Sequence, residues 1–135
     1  MKRPAVQISA LGRSVPARVM TNYDFAAIGI DTTHEWVMER TGISERHIAS
    51  ATETTCSMGA NAARIAMQRA GVQPGEIDVI ICSTATPDRL LPATAVDIQA
   101  ELGATRAAGF DISAACCGFL YGLTMAEGLI QSGAA

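Results

Sequence analysis

The chain has 135 residues, 49% of them hydrophobic and 17% charged, with a formal net charge of −3. That length and apolar content suit one packed core and exclude a low-complexity or disordered chain. The acidic balance and the lack of a Lys/Arg run argue against a nucleic-acid binder, and no stretch approaches the roughly 18 apolar residues of a membrane span.

Met1-Lys2-Arg3-Pro4 carries the charge of a secretory leader, but Gln7 and Arg13 interrupt the run that follows, so no leader core forms. Ala5 to Leu11 reads as a strand closed by Gly12 and Pro16. Thr21-Asn22 can cap a short helix through Ile28, and a second helix runs from Thr32 or Thr33 to Arg40, stopping before Gly42. Ser50 to Thr54 is a polar loop. Thr55 opens a longer helix with Met58, Ala62, Ile65, Ala66 and Arg69 along one stripe, ended by Gly71.

Asp78 to Ser83 is a continuous apolar run, the pattern of a strand buried on both faces in a parallel sheet. Thr84 to Leu91 is loop. Pro92 suits the first turn of a helix that ends at Gly103. Ala107 to Ile112 is a second buried strand. A helix then runs from Ala115 to about Ser132, with Phe119, Leu123, Ala126 and Ile130 at helical spacing and Gly133 at its end. Alternating strands and helices predict an α/β fold with a largely parallel sheet. A further strand is expected after Gly133-Ala134-Ala135, so the sequence reads as part of a larger fold.

Four cysteines, Cys56, Cys82, Cys116 and Cys117, form no C-x-x-C and no zinc spacing, which favours reduced thiols in a cytosolic protein. Cys116 and Cys117 fall where an apolar strand gives way to a helix. Unpaired N–H groups and the positive dipole end favour thiolate there, and a cysteine pKa can fall from about 8.5 to roughly 7. Two small core thiols are the alternative, and local context leaves the two readings level. His34-Glu35 begins like a zinc-protease H-E-x-x-H, but Met38 breaks the pattern. His34 and His47 read as surface or capping residues.

Asp31-Thr32, Glu35-Trp36, Arg40-Thr41-Gly42-Ile43, Glu45-Arg46-His47-Ile48, Ser57-Met58-Gly59, Pro92-Ala93, Ile98-Gln99, and Ser113-Ala114-Ala115-Cys116 with Gly118-Phe119 fall in one order and spacing. Together these stretches resemble the β-ketoacyl-acyl carrier protein synthase III family of thiolase-superfamily condensing enzymes. The resemblance covers essentially the whole chain. It implies a thiolase-like fold, with residues 1–135 as the N-terminal half-domain of a layered α-β-α-β-α architecture. It also implies that Cys116 is the nucleophile, taking an acyl group from acyl-CoA before decarboxylative condensation with malonyl-acyl carrier protein. The Cys116 amide is implied in an oxyanion hole. Thr32, Trp36 and Arg40 match positions that hold the CoA nucleotide: an indole can stack on adenine and a guanidinium can meet phosphate. Without the family match, Trp36 reads as a core anchor and Arg40 as a solvated ion pair.

Leu91 falls where the family places a bulky residue that reaches across a dimer interface into the partner's acyl pocket. Leucine in place of an aromatic implies a primer selectivity different from that of an acetyl-specific enzyme. Cys117, where the family more often has a small non-thiol residue, reads as a buried core residue. No resident cofactor is implied, the CoA thioester being a substrate. The resemblance further implies a cytoplasmic homodimer. The family's triad histidine and asparagine lie beyond position 135, so this stretch alone is expected to be inactive in condensation. The open alternatives are a different acyltransferase or a secondary-metabolism ketosynthase on the same scaffold, and a non-catalytic partner subunit.

Overall fold

The computed structural model describes residues 5–135, so the charged Met1–Pro4 start lies outside the described residues. The chain divides into two compact units, Val15–Glu53 and the flanking residues through Ser14 and from Thr54 to Ala135.

In the smaller unit, β1 (Arg18–Thr21) pairs antiparallel with β2 (Glu45–Ile48), Arg18 opposite Ile48 and Thr21 opposite Glu45. Between them lie α1 (Asn22–Ala27) and α2 (His34–Thr41). Both helices begin where the sequence supplies a threonine cap. Thr21 accepts from the Asp24 N–H while the Asp24 carboxylate accepts from the Thr21 N–H, a capping box, and Thr33 accepts from the Trp36 N–H.

In the larger unit, β3 (Val79–Ser83) and β4 (Ala108–Ile112) are parallel, with Val79 opposite Ala108 and Ser83 opposite Ile112. Side chains alternate across a strand, and the contacts follow that alternation. On one face, Ile81 and Ile112 meet Gly122 of α5 (Gly118–Ser132). On the other, Gly109 and Asp111 meet the start of α4 (Thr94–Leu102). An outer helix, α3 (Thr55–Ala70), packs on α4 where Gly59 lies against Ile98. The parallel pairing and the helix on each face match the sequence expectation, although the strands are half-buried rather than enclosed. The four helix ends predicted at glycines are all met: Gly42, Gly71, Gly103 and Gly133 are left-handed C-caps.

Three expectations are corrected. Ala5–Leu11 joins no strand ladder among the described residues; its end, at Leu11 and Gly12, lies beside α3 instead. The Leu11 carbonyl accepts from Arg69 at 2.7 Å, and a Cβ on Gly12 would overlap the Ala62 carbonyl. A strand exists only where a neighbouring backbone pairs with it, and hydrophobic alternation cannot supply that neighbour. Second, α4 starts at Thr94 rather than at Pro92. Its start is set from outside: the Asp111 carboxylate accepts from the Thr94 N–H at 2.7 Å and the Ala95 N–H at 2.8 Å. Third, the helix expected from Ala115 begins as a 3₁₀ turn over Ala115–Cys117, and α5 proper starts at Gly118.

Candidate active site

The two parallel strands end level. The Ser83–Ile112 register continues into a hydrogen bond from the Thr84 N–H to the Ile112 carbonyl at 3.1 Å. From this carboxyl end the chain turns sharply into α5, and Ala115 takes φ +44° to make the turn. Left-handed backbone is costly for any residue with a Cβ, and such positions concentrate at sites where the chain must aim a side chain. Cys116 follows directly. Gly118 then lets α5 approach the end of β3, because a Cβ there would overlap the Ser83 hydroxyl.

Cys116 lines a cleft of about 690 Å³ with Ser83, Ile81, Phe119, Leu123 and Ile130, an open, mostly apolar hollow on the α5 face of the strands. Cys117 does not line it. It is exposed rather than a core residue, because it is the N-cap of α5 and precedes the packed part of the helix. The other two thiols differ in kind. Burial, followed by the nearby Asp111 carboxylate, pushes Cys82 up to about 11. Burial first, then Asp97 and Glu101, also raises Cys56. Both are therefore held as thiols at neutral pH. All four cysteines are free.

Thr32, Trp36 and Arg40 come together in the smaller unit. Trp36 is 53% exposed, so it is not a core anchor. The Arg40 guanidinium lies 4.5 Å from the Trp36 ring centroid, one helical turn along α2. Arg40 also approaches Glu39 at 3.7 Å, but both side chains are solvated and the pair contributes little. Thr32 and Trp36 share a hollow of about 280 Å³ with Phe25, Val37, Asn22 and Arg46, and the buried Thr32 Oγ1 has no hydrogen-bond partner. Leu91 lies in the larger unit, 84% exposed, and does not line the Cys116 cleft.

Sequence reasoning missed the polar centre of the smaller unit. Asn22 is fully buried. Its amide donates to the Ile43 carbonyl at 2.8 Å, its Oδ1 accepts from Arg46 at 2.9 Å, and it lies 3.4 Å from the His34 Nδ1. His34 is half-buried and stacked on Tyr23, centroids 4.8 Å apart, rather than facing solvent. The only signal was a second cap-type residue after Thr21. His47 is exposed, as expected, with its Nδ1 2.6 Å from the Pro16 carbonyl.

A turn of positive φ at the carboxyl end of parallel strands, with helices on both faces, fits a thiolase-like α/β fold. The structure aligns with 3-oxoacyl-acyl-carrier-protein synthase III from Aquifex aeolicus at TM-score 0.91 and 44% identity, over 96% of this chain and 41% of that one. It aligns with the priming β-ketosynthase of the R1128 polyketide pathway at TM-score 0.92 and 42% identity, over 98% and 39%. In sequence it is 50% identical over 128 residues to the β-ketoacyl-acyl-carrier-protein synthase III of Brucella melitensis, covering 95% of this chain and 39% of that protein. The sequence model of the 3-oxoacyl-acyl-carrier-protein synthase III family matches residues 110–135. The chain belongs in sequence and in fold to the β-ketoacyl-acyl carrier protein synthase III family, and it spans about two fifths of the length of the relatives it matches.

Proposed function

We propose that the protein containing this chain is the condensing enzyme that starts type II fatty acid synthesis, with Cys116 as its acyl acceptor. The observation that carries the reading is the Ala115 turn, after which Cys116 lines a cleft beside the strand ends. In the first half-reaction the Cys116 thiolate attacks the carbonyl of an acyl-CoA thioester. The tetrahedral intermediate collapses with loss of CoA as its thiolate, leaving an acyl-cysteine. The Cys116 backbone N–H is one donor to the developing oxyanion. In the second, malonyl-acyl carrier protein loses CO₂ and its carbanion attacks the acyl carbonyl. A C–C bond forms and the Cys116 thiolate departs.

Trp36 offers an exposed indole face backed by Arg40, and Thr32 an unpartnered hydroxyl, a set suited to an adenine nucleotide. Leu91 is read as the residue that reaches the acyl pocket of a second subunit in a cytoplasmic homodimer. No helix among the described residues is long and apolar enough to cross a membrane. Proton handling in the decarboxylation step falls to a histidine and an asparagine outside this sequence, so the 135-residue chain alone is expected not to condense. The likeness to the R1128 priming ketosynthase supports a second reading, the same chemistry applied to a secondary-metabolite primer.

The test is the intact mass of the complete protein before and after acetyl-CoA, with peptide mapping. A single acetyl group on Cys116, absent in Cys116→Ala and retained in Cys117→Ala, is the expected result. Acylation at Cys117, or none with any acyl-CoA, would overturn the reading.

A further inference from the structure

The loop from β3 to α4 is tied to two helices and then released at its most apolar point. Asp88 uses both carboxylate oxygens on the first turn of α3, accepting from the Thr55 and Cys56 N–H groups, each at 2.8 Å. The Thr55 hydroxyl donates to the Thr86 carbonyl at 2.9 Å. One residue further on, Arg89 grips Asp97 of α4 in a bidentate pair, with Nε 3.1 Å from one carboxylate oxygen. The Cys56 amide, ahead of the other donors, holds the Asp88 carboxyl below its ordinary range, so the tether is charged at neutral pH. Directly after these anchors come Leu90 and Leu91, 89% and 84% exposed. They are the most exposed large apolar side chains among the described residues.

A loop that only connected two elements would need neither the anchors nor the leucines. Apolar side chains in water are unfavourable, and an adjacent pair on a fixed backbone is the signature of a contact surface. A wall that discriminates between acyl chains must also be rigid, because a mobile side chain yields to a longer ligand at little cost.

We propose that Asp88 and the Arg89–Asp97 pair are positioning residues for primer selectivity. They fix the loop so that Leu91 is presented, already ordered, against the acyl chain bound by a second copy of this chain. The inference rests on the reading of Leu91 given above.

The experiment compares kcat/KM for acetyl-CoA and isobutyryl-CoA in the complete protein, for Asp88→Ala, Arg89→Ala, Leu91→Ala and the double variants. Arg89→Ala is included because it leaves the Asp88 contacts with the first turn of α3 intact, whereas Asp88→Ala removes them. The expected result is a change in the primer ratio of at least about threefold in each single variant, in one direction. Adding either tether variant to Leu91→Ala should shift the ratio no further, since all act through one side chain. Asp97→Glu, which can remake the pair, should restore an Asp97→Ala ratio. An unchanged ratio with activity lowered equally for both primers, or fully additive ratios, overturns the proposal.

Amide exchange over Thr86–Leu91 in the same variants requires no turnover. Faster exchange confined to this loop supports the tether, and unchanged exchange overturns it. A parent protein that takes no acyl group overturns the Leu91 role together with the site reading, while exchange still reports on the tether by itself.

Discussion

The two units hold their candidate functional side chains by different means. In the unit that holds the cysteine the core is made largely of small residues at close range: Ala60, Ala95, Ala104 and Ala107 are buried, and helices approach strands at Gly109, Gly118 and Gly122. There the backbone itself aims Cys116, through Ala115 and Gly118. In the Val15–Glu53 unit only Met20, Asn22 and Val37 are buried. That unit is organised by caps, a ring stack and one buried amide, and two of its candidate ligand groups, Trp36 and Arg40, stay solvent-facing. One region should therefore fail when volume is added, the other when a polar partner is removed.

The sharpest test is Gly118→Val. The side chain has no room beside Ser83, so the turn into α5 must shift. The expected loss is at least about 2 kcal/mol in urea denaturation together with loss of Cys116 acylation. Ser83→Gly in the same chain should recover part of both, and a fully active Gly118→Val would break the contrast.

Next is Asn22→Ala, which leaves the Ile43 carbonyl and the Arg46 guanidinium without their partner. A cost of about 2 kcal/mol is expected. The sole tryptophan, Trp36, reports it by fluorescence. A third, smaller effect is expected for Trp36→Ala: CoA binding by calorimetry should weaken about tenfold, as for loss of one aromatic stacking partner. Arg40→Ala added to it should cost less than it does alone, because Arg40 rests on that ring.

The smallest effect concerns Cys82. Burial raises its pKa to about 11, so at pH 8 a maleimide should modify Cys116 and Cys117 while sparing Cys82. An acid whose folded pKa is raised keeps its proton in the native state after the unfolded chain has lost it. Stability should therefore fall as pH rises from about 9, the value for a free thiol, towards 11. The fall should diminish in Cys82→Ala, read from denaturation midpoints at pH 8 and pH 10.

The features legible in the sequence were those written locally. Thr21 and Thr33 announce helix starts, glycines announce helix ends, and the Asp78–Ser83 run announces a parallel strand. The change from strand to helix around Cys116 was legible too. What escaped depended on distant partners. β1 and β2 are four residues each, too short for alternation to stand out, and they exist because each is the other's ladder. Asn22 looked like half of a cap because its burial is created by Ile43, Arg46 and His34. The exposure of Cys117 followed from a 3₁₀ turn that no alanine pattern encodes.

Ala115 carries a consequence for how this sequence would drift under selection. A methyl group at φ +44° is a standing strain of order 1 kcal/mol that glycine would relieve. Glycine would also widen the range of backbone angles open to the neighbouring cysteine. Screening variants for heat resistance alone should therefore enrich glycine at position 115. Screening for acyl transfer should retain alanine. The two regimes would pull this position in opposite directions, a stability–activity trade-off confined to one methyl group.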